Sequence, residues 1–153
     1  MRRVLRIFAV IACVSPALWS QSAGDVAVVV NPKNTVSNLT VPELRKLFSG
    51  ETRNWPGGTP VKLIVRAPGA RERETVLRLL GFSEDDYARH WTAEAYRGGN
   101  AEPVAVFSNG IQKEAVVSIA GAIALMDAGD VKAGLKVIKI EGKLPGEAGY
   151  PLH

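Results

Sequence analysis

The chain has 153 residues, which suits one domain. Nineteen Lys and Arg against 15 Asp and Glu give a formal charge of +4, but Arg2, Arg3 and Arg6 fall within residues 1–23, which hold no acid, so the remainder carries only +1. Acids and bases are interspersed from Glu43 to Glu147, leaving no basic stripe, which excludes nucleic acid as a partner, and a single cysteine, Cys13, excludes an intramolecular disulfide, so stability must come from a packed core.

Residues 1–23 read as a secretory signal: a basic start, an apolar run from Ile7 to Val14, and the small residues Ser20 and Ser22 two apart. A transmembrane anchor would need about 20 consecutive apolar residues, and Ser15, Pro16, Ser20 and Gln21 interrupt the stretch too early. Val10-Ile11-Ala12-Cys13 is similar to a bacterial lipobox, so lipid anchoring through Cys13 is the alternative to ordinary cleavage near Ser22 or Ala23. The apolar Pro16-Ala17-Leu18-Trp19, where a polar tether belongs, favours ordinary cleavage. Residues 24–153 are then one exported domain without a transmembrane span.

Val26 to Val30 is a β-branched run that reads as a buried strand, closed by Asn31-Pro32. Thr40 with Glu43 three residues on has capping-box spacing, and Val41, Leu44, Leu47 and Phe48 share one helical face before Gly50. The segment from Asn54 to Pro60 is a turn. A second strand, Val61 to Val65, leads through Arg66-Ala67-Pro68-Gly69 into a helix from Ala70 or Arg71 to Leu80, ended by Gly81. Ser83 with Asp86 opens another capped helix carrying Tyr87 and Trp91.

Pro103 to Phe107 is a third strand, and Ser108 or Asn109 caps a helix running to about Ile119. Ala122 to Met126 and Leu135 to Ile140 are two more strands, separated by a turn over Asp127 to Asp130, and the tail from Gly142 to Leu152 is irregular. Strands alternating with helices predict an α/β fold, a mixed and mostly parallel sheet with helices on both faces.

In such a sheet, ligands bind beyond the carboxyl ends of strands, where loops enter helices. Arg66-Ala67-Pro68-Gly69-Ala70-Arg71 combines a guanidinium, a glycine that lets the backbone approach closely, and a helix start with unpaired amides, the parts of a site for a small, phosphate-like anion. Phe107-Ser108-Asn109-Gly110 adds a hydroxyl and an amide at the next helix start. The ligand-binding candidates are therefore Arg66, Gly69, Ala70, Arg71, Ser108 and Asn109. The competing reading makes Ser108 and Asn109 ordinary caps and pairs Arg66 with Glu72 or Glu74.

Elsewhere the chemistry is sparse. His90 and His153 have no cysteine beside them, which argues against a metal site, and His90 reads as a helix-surface residue. Asp85 and Asp86 suit a helix first turn. No hydrolase elbow, zinc-protease helix or P-loop occurs, so neither an enzyme nor a cofactor is expected. Trp55, Trp91 and Tyr96 are read as core aromatics, with a pocket lining as the alternative.

The order of these motifs resembles the phosphate-type periplasmic substrate-binding family. Asn31-Pro32, then Leu39-Thr40-Val41-Pro42-Glu43-Leu44 through Phe48-Ser49-Gly50 and Trp55, is similar to its early helix and tryptophan. Val65-Arg66-Ala67-Pro68-Gly69 stands where that family has an arginine and a serine-glycine-threonine loop, with Ala70, Arg71 and Glu72 in place of its hydroxyls. Ser108-Asn109-Gly110, Gly121-Ala122-Ile123 and Gly149-Tyr150-Pro151-Leu152 resemble its later segments. The resemblance implies one lobe of a type II periplasmic binding protein. It also implies a periplasmic substrate-binding domain related to phosphate ABC transporter components, with phosphate or another small anion as ligand. The alternative is an envelope protein-interaction module that kept the fold and lost the ligand.

Overall fold

The computed structural model describes residues 24–153; residues 1–23, read above as a signal with cleavage near Ser22 or Ala23 or lipidation at Cys13, lie outside the described residues. Strands β1 (Val26–Val30), β2 (Asn38–Leu39), β3 (Lys62–Arg66), β4 (Ala105–Val106), β5 (Ala122–Asp127) and β6 (Lys136–Ile140) form one sheet in the order β2-β6-β1-β5-β3-β4. β3 pairs in parallel with both β4 and β5, and β2 with β6, whereas β1 is antiparallel to β5 and β6. The sheet is therefore mixed and mostly parallel, as the alternation predicts.

β1 lies at the centre, and its five residues are all buried. Val26, Val28 and Val30 enter one core while Ala27 and Val29 enter the other, which is why the strand reads as an unbroken apolar run. The larger core gathers α1 (Val41–Phe48), α2 (Arg71–Leu80) and α3 (Glu84–Tyr96) through Leu44, Phe48, Val76, Leu79, Tyr87 and Trp91. The opposite face carries α4 (Asn109–Ser118), seated by Val116 and by Gln112, whose amide donates to Ile64 O and Leu125 O at 3.3 and 3.0 Å.

Local chemistry explains the helix ends. Thr40 and Ser83 each close a full capping box, accepting from the N–H of Glu43 and Asp86 while those carboxylates accept from the cap backbone. α2 ends at Gly81 with φ +73°, a left-handed cap that favours glycine. Arg73 is buried, grips Glu84 through Nε and Nη2 at 3.0 and 2.6 Å, and lies 3.9 Å above the Tyr87 ring, tying α2 to α3.

Three expectations change. β2 has no signal of its own: its two residues extend only because β6 offers an edge, with Leu39 opposite Ile140. The third strand shrinks to Ala105–Val106, since only these residues pair with β3. Of the three aromatics, Trp55 and Trp91 are core, but Tyr96 is 91% exposed at the end of α3.

Candidate functional site

Because β3, β4 and β5 run in parallel, their carboxyl ends emerge on one side of the sheet. The chain leaves β3 over one face through α2 and α3, then leaves β4 over the other through α4, so adjacent strands β3 and β4 diverge at their ends. That divergence sets the loops Arg66–Arg71 and Phe107–Asn109 side by side at the carboxyl ends, joined by Arg66, in the position where ligands bind in open α/β sheets.

Arg66, the last residue of β3, projects into this corner with its side chain 15% exposed. One terminal nitrogen bonds Asn109 Oδ1 and lies 3.5 Å from Glu72 Oε1; the other reaches Phe107 O at 3.4 Å. Its Nε is buried and has no acceptor among the described residues. Asn109 turns its amide nitrogen to Asp130 Oδ2 at 2.5 Å, so its carbonyl faces the guanidinium.

The start of α2 lies nearby, with Glu72 beside Arg66. Gly69 has φ +92° in the turn, and Ala70 is the N-cap residue with no side chain able to cap. α1, α3 and α4 are each capped by a hydroxyl, so α2 alone of the described helices meets the corner with its first-turn amides uncapped by a side chain. Ser108 is such a cap: its Oγ accepts from Ile111 N at 3.2 Å.

Arg71 does not join Arg66. Its guanidinium turns to Asp127 Oδ2 at 2.8 Å and to Gly24 O, linking α2 to the end of β5 and the start of β1. Nearby, Asp25 is held below the usual carboxylate range, chiefly by the N–H of Gly146 and then by His153.

The structure thus brings Arg66 and Asn109 together, places Gly69 and Ala70 in the turn that enters α2, and sets Arg71 and Ser108 to structural contacts. Sequence reasoning named Glu72 only as a rival partner and missed Asp127 and Asp130. Glu72 is buried, and its Oε1 also accepts from Asp127 N at 3.4 Å. Glu74, the other rival, is exposed on α2. Asp127 and Asp130 come from a distant turn whose spacing to Arg66 carries no sequence signal. Chemically, the corner offers a guanidinium and main-chain donors to an oxyanion, with the Glu72 carboxylate already beside the guanidinium.

No helix among the described residues is long and apolar enough to cross a membrane. Several solved structures share the fold. The chain superposes on an ABC-type phosphate transport receptor from Vibrio cholerae with TM-score 0.63 and 22% identity, covering 78% of this chain and 47% of that one. With PstS from Borrelia burgdorferi the TM-score is 0.61 and the identity 18%, over 80% of this chain and 49% of that one. With a phosphate-binding protein from Stenotrophomonas maltophilia the values are 0.60 and 16%, over 80% and 40%. The chain spans about half the length of these proteins. The family model described as the PBP superfamily domain matches residues 22–149. On that match, which takes in nearly all of the described fold, the chain belongs to the PBP superfamily.

Proposed function

We propose that this chain is an exported solute-binding domain of the bacterial periplasm that takes a small oxyanion, phosphate foremost, at the Arg66 corner. The observation that carries the reading is the meeting of a guanidinium, whose Nε has no acceptor among the described residues, with the one helix start that no side chain caps. Structural likeness to proteins named for phosphate transport and binding points the same way. The basic, apolar and small-residue order of residues 1–23 supports export, with removal near Ser22 or Ala23.

Binding at this corner is weak by construction, since an anion must displace or tolerate the Glu72 carboxylate 3.5 Å from the guanidinium. Arg66 contributes charge and directional donors, Asn109 orients it, and the amides of Arg71 and Glu72 complete a cradle. Titration calorimetry with phosphate, sulfate and acetate tests this. Phosphate should give saturable heat, and Arg66→Ala should weaken it at least tenfold, about 1.4 kcal/mol. Absence of heat with all three anions would remove the ligand from the account.

A second reading, an envelope interaction module without a ligand, is favoured by one specific observation. Arg66 and Arg71 each already face a carboxylate, Glu72 and Asp127. On that reading Arg66→Ala leaves function intact.

A further inference from the structure

Exposed apolar side chains are unevenly spread over the described surface. Tyr96, Val104, Phe107, Ile111, Val117 and Ile119 all lie between the end of α3 and the end of α4, and only Leu144 lies elsewhere. Val104 is 78% and Phe107 81% exposed, one on each side of β4. Among the described residues β4 is the last strand of the sheet, so its outer main-chain groups have no described strand beside them. Beside β4, where Lys62, Leu63 and Ile64 of β3 lie beyond its pairing, is a cleft of about 500 Å³ whose lining includes Leu63, Trp91, Pro103, Val104 and Ile119. A bare strand edge flanked by exposed valine, isoleucine and phenylalanine is a template for pairing with another strand.

We infer that the β4 edge is a homodimer interface, occupied by the β4 edge of a second copy of this chain about a two-fold axis. Three observations select a copy of the same chain over another partner. First, the cleft is lined by one base and one acid, Lys62 and Glu102, both exposed and without an ion-pair partner among the described residues. Under a two-fold operation each residue type of one copy can meet its opposite in the other, whereas a strongly acidic or basic partner would leave one of them repelled. Second, Val104 and Phe107, which flank the edge, are apolar, so two identical copies bring like to like there without repulsion. Third, an antiparallel pairing of one edge strand with itself closes on two chains and leaves neither edge open, which a head-to-tail contact would not.

β4 is only two residues long, so few main-chain bonds can cross the axis. Side-chain burial at Val104, Phe107 and Ile119 must therefore supply most of the attraction. Phe107 also sets the interface against the Arg66 corner, since its carbonyl accepts from Arg66. The inference does not depend on that corner binding an anion.

Sedimentation velocity of the purified protein over a hundredfold range of concentration provides the test, with circular dichroism as a control for folding. A reversible monomer–dimer equilibrium is expected. Val104→Ser and Phe107→Ser, both at exposed positions that should not disturb folding, are each expected to raise the dissociation constant about tenfold. Lys62→Glu should weaken the dimer, and Lys62→Glu with Glu102→Lys should restore it. A monomer at every concentration would overturn the inference. So would a dimer indifferent to Val104 and Phe107 but broken by Leu144→Ser, because the contact would then lie on another face.

Discussion

Asn31 ends β1 and is 4% exposed, and its amide nitrogen donates to the carbonyls of Val116, Val117 and Ile119 at 3.0, 3.0 and 3.1 Å while its oxygen accepts from Lys33 N. One side chain thereby satisfies the carbonyl end of α4 and fastens it to the strand beneath. Asn31→Ala would leave those acceptors buried and unpaired, so a loss of about 2–3 kcal/mol is expected, read as a lowered denaturation midpoint at unchanged slope. In the sequence, Asn31-Pro32 is legible only as a strand stop, because its partners lie more than 80 residues away. The same limit governs the corner. Arg66 and Asn109 were legible because each stands at a strand-to-helix junction, whereas the carboxylates that answer them come from other elements. Arg71 shows the converse: adjacency to Gly69 suggested an inward guanidinium, but the end of β5 offers Asp127 at 2.8 Å and takes it.

At the scale of elements, most of the fold was legible because the signals are local. The capping boxes at Thr40 and Ser83 formed as their spacing predicts, and the β1 run has the bounds read from its composition. Glu43 and Asp86 are held below the usual carboxylate range, first by the N–H of their cap residues and then by the cap hydroxyls. A group with a depressed folded pKa stabilises fully above its unfolded value, about 4, and loses that contribution as pH falls through the folded value. Glu43→Gln with Asp86→Asn is therefore expected to flatten the fall of stability between about pH 5 and pH 2, measured by urea unfolding at each pH. Ser83→Ala should cost about 1 kcal/mol at neutral pH by removing the cap acceptor.

Turns carry a sharper constraint. Gly121 has φ +78°, and a Cβ there would overlap Pro60 O, just where Trp55 Nε1 donates to Gly121 O at 2.8 Å. Gly121→Ala combines left-handed strain with a backbone clash, so a loss of at least about 2 kcal/mol is expected in thermal unfolding. β2, and the short extent of the strand read at Pro103 to Phe107, were not legible for a single reason: two-residue strands exist by pairing, and pairing partners are not local.

For the whole molecule, alternation of strand and helix was enough to place helices on both faces, but not to order the strands. The reversed, central β1 and the junction at the ends of β3 and β4 depend on which edge each crossover chose. The tail is irregular, as its Gly and Pro content predicts, yet it is anchored: Tyr150 donates to Val26 O at 2.7 Å and Val26 N to Leu152 O at 3.0 Å, closing the domain against β1. Burial raises the Tyr150 hydroxyl well above its ordinary pKa, so it stays a donor across the physiological range. Glu72 lies beside Arg66, where a ligand would meet the guanidinium. The affinity of Glu72→Gln for phosphate, measured beside the wild-type protein by titration calorimetry, decides whether that carboxylate stands in for an anion. Removing its charge while keeping its shape should tighten binding about tenfold, near 1.4 kcal/mol. Unchanged or weaker binding in the variant would contradict the assignment of Arg66 as the centre of an anion site.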